Sequence, residues 1–273
     1  MCGIFGYFCR EKTNMQKVLK LLQILERHQY KDQGEKRPVG GHGAGVCFCD
    51  DSGNMVMHKV GKTNSSPAKD LSLLKDFAQQ KSRIILGHVR HASSNLMNTV
   101  EYAEATQPYK VNCLDIAEVV SVHNGKVQNY EEIRKDLSKE HCFQSEIVKL
   151  VDSEVVPHLF EENLVICNDE DEARKRTSEM IKGSNTVVVL TRSEGRSQLH
   201  VLHKRFTRGM HLWKNNKDEI ILCSREEPLQ QVFGDLLEAG DFEKEISIEW
   251  IPYELRTRSR EKLYQRAYKV IDS

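Results

Sequence analysis

The sequence predicts an α+β chain in which two antiparallel sheets pack together with helices outside. Strand-length apolar runs come in pairs joined by turn-forming residues, as around Asp51-Ser52-Gly53-Asn54 and Lys214-Asn215-Asn216-Lys217. Helical stripes stand before and between these pairs instead of alternating regularly with single strands, which argues against a parallel sheet. At 273 residues and 39% hydrophobic content, the chain can bury a real core as one large or two medium domains.

The run from Met1 to Phe8 reads as a strand that begins with a thiol at its tip, Cys2 followed by Gly3 and an alternating apolar stretch. A helix over 14–27 follows, with apolar residues at 15, 18, 19, 22 and 25 forming one core-facing stripe. Residues 28–42 are polar and end in a glycine-rich turn into a strand at 44–49, which a hairpin turn joins to a strand at 55–60. A loop over 63–69, a helix over 71–80 and a strand over 82–91 come next; the strand leaves its apolar stretch carrying Gly87-His88-Val89-Arg90. Residues 94–110 read as a loop, and 116–122 as a buried strand running into His123-Asn124-Gly125. A helix over 130–139 precedes a longer one that opens at Gln144-Ser145-Glu146, carries Asp152-Ser153-Glu154 and is completed by 155–160. After a linker at 161–171 come a helix at 172–181, hairpin strands at 185–192 and 199–205, a second hairpin at 210–213 and 219–224, and a helix from 225 to 237.

From 245 to 271 charged and apolar residues alternate around a basic cluster, Arg256, Arg258, Arg260 and Lys262. The cluster reads as a solvated face, with a partner-binding or anion-binding surface as the sharper alternative. Forty basic residues balance forty acidic ones, so no global field favours nucleic acid or an anionic membrane. No run approaches the ~20 apolar residues of a membrane span. Eight cysteines without a CxxC pair or an export segment read as reduced thiols of a cytoplasmic protein. Cys47 and Cys49 share a strand face, and with no second pair or histidine at ligand spacing they read as packing and not as zinc ligands. No nucleotide-binding glycine signature is present, and neither a cofactor nor a metal is expected.

Three places carry chemistry. If Met1 is removed, as the small Cys2 side chain favours, one residue holds both a thiol nucleophile and an α-amine able to take its proton. Arg90, emerging from a buried strand, invites a substrate. Asn124-Gly125 is either a tight turn or a pair of convergent donors, a side-chain amide beside a glycine N–H, as an oxyanion requires. Asp152 sits among apolar residues at 150, 151, 155 and 156, so its carboxylate can point into a site.

The ordered segments Met1-Cys2-Gly3-Ile4-Phe5-Gly6, Gly87-His88-Val89-Arg90-His91-Ala92-Ser93, Val122-His123-Asn124-Gly125-Lys126-Val127-Gln128-Asn129 and Asp152-Ser153-Glu154-Val155 resemble the motifs of class II glutamine amidotransferases. Each segment is weak alone; four in order are specific. The resemblance extends over roughly the first 235 residues and implies an N-terminal-nucleophile hydrolase with a four-layer αββα sandwich. It implies that Cys2 attacks the glutamine side-chain amide and that the Asn124 amide and Gly125 N–H hold the oxyanion. Arg90 would bind the substrate carboxylate, supported by Ser93 where the family often has Thr, and Asp152 the ammonium. The chain departs from the pattern at His91, where an aromatic residue is common, and at Ser94-Asn95, where His-Gly is common. An Arg-Gly-x-Asp-Ser-Ala-Gly segment of sugar-linked members is also not intact after Arg27.

Well-known members fuse this domain to a synthase, whereas 236–273 reads as a short extension packed on the same 1–235 domain. The expected activity is therefore that of a glutaminase releasing glutamate and ammonia for a separate synthase partner. Two other readings stay open: a hydrolase of γ-glutamyl peptides or amides, needing an open leaving-group side, and a non-catalytic regulatory module. Retention of Cys2, Arg90, Asn124, Gly125 and Asp152 argues against the module. A homo-oligomer also stays open.

Overall fold

The computed structural model describes residues 2–32, 35–74, 77–193, 195–205, 209–249, 251 and 263–270. A seven-stranded antiparallel sheet has the order β13-β11-β12-β1-β6-β4-β5. Its strands are β1 (Gly3–Asn14), β4 (Gly43–Cys49), β5 (Met55–Gly61), β6 (Lys81–Val89), β11 (Met210–Lys214), β12 (Ile220–Cys223) and β13 (Glu243–Ile248). A five-stranded sheet, β14-β10-β9-β8-β7, contains β7 (Tyr109–Val111), β8 (Glu118–Gly125), β9 (Asn185–Ser193), β10 (Arg196–Lys204) and β14 (Leu263–Val270).

Strand alternation builds the layers, because successive side chains point to opposite faces. In β1, Ile4 and Phe8 join Leu86 of β6 and Val120, Val122, Val188 and Leu190 of β8 and β9 in an apolar layer between the sheets. Phe5, Tyr7 and Cys9 face the other way, onto α1 (Met15–Arg27) and α6 (Glu226–Ala239). Asn14 starts α1 by accepting the Gln16 N–H at 2.8 Å, and Met15, Val18, Leu19, Leu22 and Leu25 are buried as the stripe requires. The Phe233 ring of α6 stacks on Phe5 with centroids 5.5 Å apart. On the outer face of the second sheet, Val119, Val187 and Val189 pack against α4 (Val155–Cys167), α3 (Tyr130–Asp136) and α5 (Glu170–Met180). The result is the expected four layers, helix, sheet, sheet, helix.

Polar segments depart most from expectation. Within the supposed loop at 28–42, β2 (Gln29–Asp32) and β3 (Glu35–Pro38) form a separate hairpin. The expected helix at 71–80 is replaced by α2 (Pro67–Leu71), started by Pro67 and the Ser66 cap, and a 3₁₀ turn at Phe77–Gln79. The loop at 94–110 contains 3₁₀ turns at Ser94–Thr99 and Ala103–Ala105 and the strand β7. Asp152 is on a turn ahead of α4 and not on a helix. Local side-chain bonds win there: Ser145 Oγ accepts the Val151 N–H, and the Glu154 carboxylate accepts the Gln144 and Ser145 N–H groups. Conversely α4 runs through the expected linker to Cys167, where long-range bonds hold polar residues of the helix: Glu161 Oε1 accepts the Leu114 N–H at 2.9 Å and Asn163 donates to Thr177 Oγ1 at 3.0 Å. Chain beyond α6 adds β13 to an edge of one sheet and β14 to an edge of the other. The basic cluster Arg256, Arg258, Arg260 and Lys262 lies outside the described residues, as does Met1. Among the described residues no helix is long and apolar enough to cross a membrane.

Phe233 is 1% exposed and ties α6 to the strand that begins at the proposed nucleophile. Phe233→Ala should lower unfolding free energy by about 3–5 kcal/mol, read as a lower denaturant midpoint at unchanged m-value.

Candidate active site

Three neighbouring strand ends build the site. Antiparallel pairing sets Gly3 opposite Val89 and Ile4 opposite His88, so continuing the register by one residue brings Cys2 beside Arg90. Cys2 and Ile4 share one parity, as do Leu86 and His88 on β6 with Arg90 just past its end, and Val120, Val122 and Asn124 on β8. All three functional side chains therefore continue the layer between the sheets. Cys2, Arg90, Ser93, Asn124, Gly125 and Asp152 line one cavity of ≈ 440 Å³, which brings together every site residue expected from sequence.

Each position is held by named contacts. Cys2 Sγ is half-buried and lies 3.4 Å from the His91 N–H, which points a donor at the sulfur. Asn124 is 1% exposed, and its Nδ2 has no hydrogen-bond partner among the described residues. A buried amide donor is costly to leave unpaired, so this one is organised for a group that enters the cavity. Gly125 is required by packing: a Cβ there would lie 2.4 Å from Ser184 O and 2.7 Å from His123 Nε2. Arg90 is buried and spends Nη1 on Thr99 O at 3.0 Å and Nη2 on Thr99 Oγ1 at 2.6 Å. Those bonds tie the 94–99 turn to the guanidinium and leave its remaining donors for the cavity. Asp152 Oδ2 accepts the Val127 N–H at 2.9 Å, which fixes the carboxylate against the segment following Asn124-Gly125. Ser93 is exposed at the rim and donates to Asn95 Oδ1 at 2.7 Å.

Several residues in or beside the wall were not among the site residues expected from sequence. His42 and His91 stack with centroids 4.7 Å apart, and His42 Nδ1 accepts the Ala92 N–H at 3.0 Å, so the glycine-rich turn before β4 braces the chain beside Cys2. Burial pushes His91 down to about 4 and also lowers His42, leaving both rings neutral at pH 7. A neutral pair supplies no fixed positive charge to the sulfur. The Gln107 side chain bonds both main-chain groups of His123, accepting its N–H at 2.5 Å and donating to its carbonyl at 3.0 Å. It thereby extends the ladder beyond β7 and steadies the residue before Asn124. The His123 ring sits between Ser153 Oγ at 2.8 Å and Asn185 Oδ1 at 2.9 Å, which links the Asp152 turn to β8. Arg37, from the β2–β3 hairpin, also lines the cavity. Only the dense glycines at 40–45 hinted at the brace, since contacts as distant as 42 to 92 leave no local pattern.

Fold and site together define a class II glutamine amidotransferase domain of the N-terminal-cysteine type. The chain belongs to that family: the profile of the glutamine amidotransferase domain matches residues 94–231. Among curated relatives, the glutamine–fructose-6-phosphate aminotransferase (isomerizing) of Pyrococcus horikoshii is 28% identical over 191 residues, covering 70% of this chain and 27% of the relative. The amidophosphoribosyltransferase of Methanocaldococcus jannaschii is 27% identical over 191 residues, covering 70% of this chain and 36% of the relative. The chain thus spans well under half the length of these relatives. A solved structure described as the allosteric regulatory enzyme of purine biosynthesis superposes with a TM-score of 0.60 at 17% identity, over 97% of this chain and 49% of that one. The glutamine phosphoribosylpyrophosphate amidotransferase of B. subtilis gives 0.57 at 16% identity, with 97% and 49% coverage. These two likenesses bear on the fold.

Burial beneath the site has a pH consequence. His88 lies between the sheets, 0% exposed, and desolvation pushes it down to about 3 from 6.5. Between those values the unfolded chain binds the extra proton, so stability is full above pH 6.5 and declines as acid is added towards pH 3. Denaturant titrations should show a loss of up to about 1.4 kcal/mol per pH unit from this residue, and His88→Phe should make the acid limb shallower. An unchanged limb would remove His88 as its source.

Proposed function

We propose that this domain hydrolyses the side-chain amide of glutamine through a γ-glutamyl thioester on Cys2 and yields ammonia for a synthase partner. The observation that carries this reading is the buried, unpartnered Nδ2 of Asn124 in the same cavity as Cys2, Arg90 and Asp152. An oxyanion is the kind of acceptor such a donor lacks.

In this reading the Cys2 α-amine, freed by removal of Met1, takes the thiol proton, and the thiolate attacks the amide carbon. The carbonyl π electrons move to oxygen, held by Asn124 Nδ2 and the Gly125 N–H. Collapse breaks the C–N bond, with the proton passed from the amine to the departing nitrogen, and ammonia leaves. Water then adds to the thioester; the thiol is regenerated and glutamate released. Arg90 pairs with the substrate carboxylate and Asp152 with its ammonium, both charge-assisted, while Ser93 steadies the carboxylate side. Burial lowers the proton affinity of both His42 and His91, which makes either ring a weaker base and supports assigning that role to the α-amine.

The acceptor side is assigned to a partner. The relatives named above are transferases of roughly two to two and a half times this length, and the shared portion is the glutamine amidotransferase domain. We assign the segment 236–273 to the same domain, since β13 and β14 are edge strands of its two sheets. A cytoplasmic location agrees with eight free cysteines.

Incubation with a diazo-ketone analogue of glutamine should add one label to Cys2 of a chain lacking Met1, with ammonia released from glutamine in parallel, both read by mass spectrometry and a coupled assay. Retained Met1 with neither label nor ammonia would overturn catalysis, and a label without glutamine turnover would move the substrate to γ-glutamyl amides. Asn124→Ala should lower turnover about 100- to 1,000-fold with little change in KM. Asp152→Asn keeps an acceptor for the Val127 N–H but removes the charge, so it should raise KM by about 10-fold or more at nearly constant kcat.

A further inference from the structure

Away from the catalytic cavity, on the outer face of the five-stranded sheet, four side chains converge that are remote in sequence. Cys113 follows β7, His141 lies on the connection after α3, and His158 and Glu161 are three residues apart on α4, where that spacing sets them on one face. One ligand atom from each lies within 4.8 Å of the other three. None of the four lines the cavity that holds Cys2.

We infer that Cys113, His141, His158 and Glu161 form a closed, four-coordinate structural site for zinc. A tetrahedral zinc with sulfur at about 2.3 Å and nitrogen or oxygen at about 2.0–2.1 Å has ligand-to-ligand edges of roughly 3.3–3.6 Å. Here Cys113 Sγ to His158 Nδ1 is 3.8 Å, His158 Nδ1 to His141 Nδ1 is 3.0 Å, and His141 Nδ1 to Glu161 Oε2 is 3.5 Å. The edges bracket the ideal, so small side-chain adjustments close them on a metal.

Surrounding contacts orient the donors as ligands. His141 Nε2 is 2.9 Å from the Glu162 carboxylate, which holds the ring proton on that nitrogen and turns the Nδ1 lone pair inward. Glu161 is 0% exposed; its Oε1 accepts the Leu114 N–H, whereas Oε2, the oxygen turned to the cluster, has no hydrogen-bond partner among the described residues. The His158 ring stacks on Phe143 at 3.9 Å between centroids, which fixes its plane. Two neutral imidazoles, one thiolate and one carboxylate sum to two negative charges, so a divalent cation makes the buried cluster neutral. The thiolate and imidazoles favour zinc over magnesium or calcium, and four protein ligands leave no open position for catalysis. Such a metal clamps three segments together: the β7–β8 connection, the α3–α4 connection that carries Asp152, and α4 itself. The metal-free alternative is a hydrogen-bonded cluster in which His141 bridges Glu161, Glu162 and His158 without an ion.

The test reads metal content and stability, independently of any glutaminase assay. Full-length chain without a histidine tag, produced in zinc-supplemented medium and purified in reducing buffer without chelator, should contain about one zinc per chain by elemental mass spectrometry. Removing the metal with a strong chelator should lower Tm by about 10 °C, and zinc should restore it. Cobalt-substituted protein should show visible absorption of a four-coordinate ion and near-ultraviolet thiolate-to-cobalt charge transfer, the latter lost in Cys113→Ala. His158→Gln and Cys113→Ala should each lose the zinc. Wild-type protein holding no stoichiometric zinc, with Tm indifferent to chelator, would overturn the site in favour of the hydrogen-bonded cluster. Stoichiometric zinc surviving both substitutions would also overturn it and point to the shallower group His211, Glu226 and Glu249.

Discussion

Pairing of β1 with β6 is the constraint on which the rest of this molecule depends. It is antiparallel and in register from Gly3 opposite Val89 to Phe8 opposite Ile84, and both strands lie in the middle of the seven-stranded sheet. Because side chains alternate, a one-residue slip of β1 would turn Ile4 and Phe8 out of the inter-sheet layer and send the Cys2 thiol to the helix side. The apolar layer thus enforces the position of the nucleophile: the register that buries those residues is the register that sets Cys2 beside Arg90.

Most supports of the active-site wall are polar groups that satisfy one another, and among the described wall residues one fully buried side-chain atom is left without a partner. Gln107 completes the main chain at His123, His123 bridges Ser153 and Asn185, Thr99 occupies two donors of Arg90, and Val127 holds Asp152. Each bond fixes a side chain whose rotamer would otherwise cost entropy to order on binding a substrate. That atom, Asn124 Nδ2, is the donor we propose for the reacting oxygen. Under the proposed mechanism such a site is preorganised, since its supports are already bonded and little has to move when negative charge develops.

Electrostatics in this fold are local. Positive and negative residues balance at forty each, so no long-range field steers a ligand. Burial keeps His88, His91 and His42 neutral near the nucleophile. Rings that bind a proton this weakly are poor bases, in keeping with the role proposed for the Cys2 α-amine. On the opposite face of the second sheet the same low polarity acts on a different set of donors, and there charge balance calls for a cation.

Much of this was legible along the chain. The stripe of α1, the hairpins, and the alternation of β1, β6 and β8 are local periodicities, and Cys2, Arg90 and Asn124-Gly125 stand at strand ends that those periodicities mark. Two packed sheets with helices outside followed from paired strands with helices between them, and the family resemblance implied the four-layer αββα order and the roles proposed for the site residues. Only tertiary structure decided the rest. Polar side chains broke the expected helix before Asp152 and carried α4 through the expected linker, because their partners, such as Leu114 for Glu161 and Thr177 for Asn163, are dozens of residues or a whole helix away. The bracing of Cys2 by His42 and His91, and the convergence of Cys113, His141, His158 and Glu161, join residues with no common local pattern. Periodicity in a sequence reports which face of an element is buried; which distant groups meet on that face is set by how the layers pack.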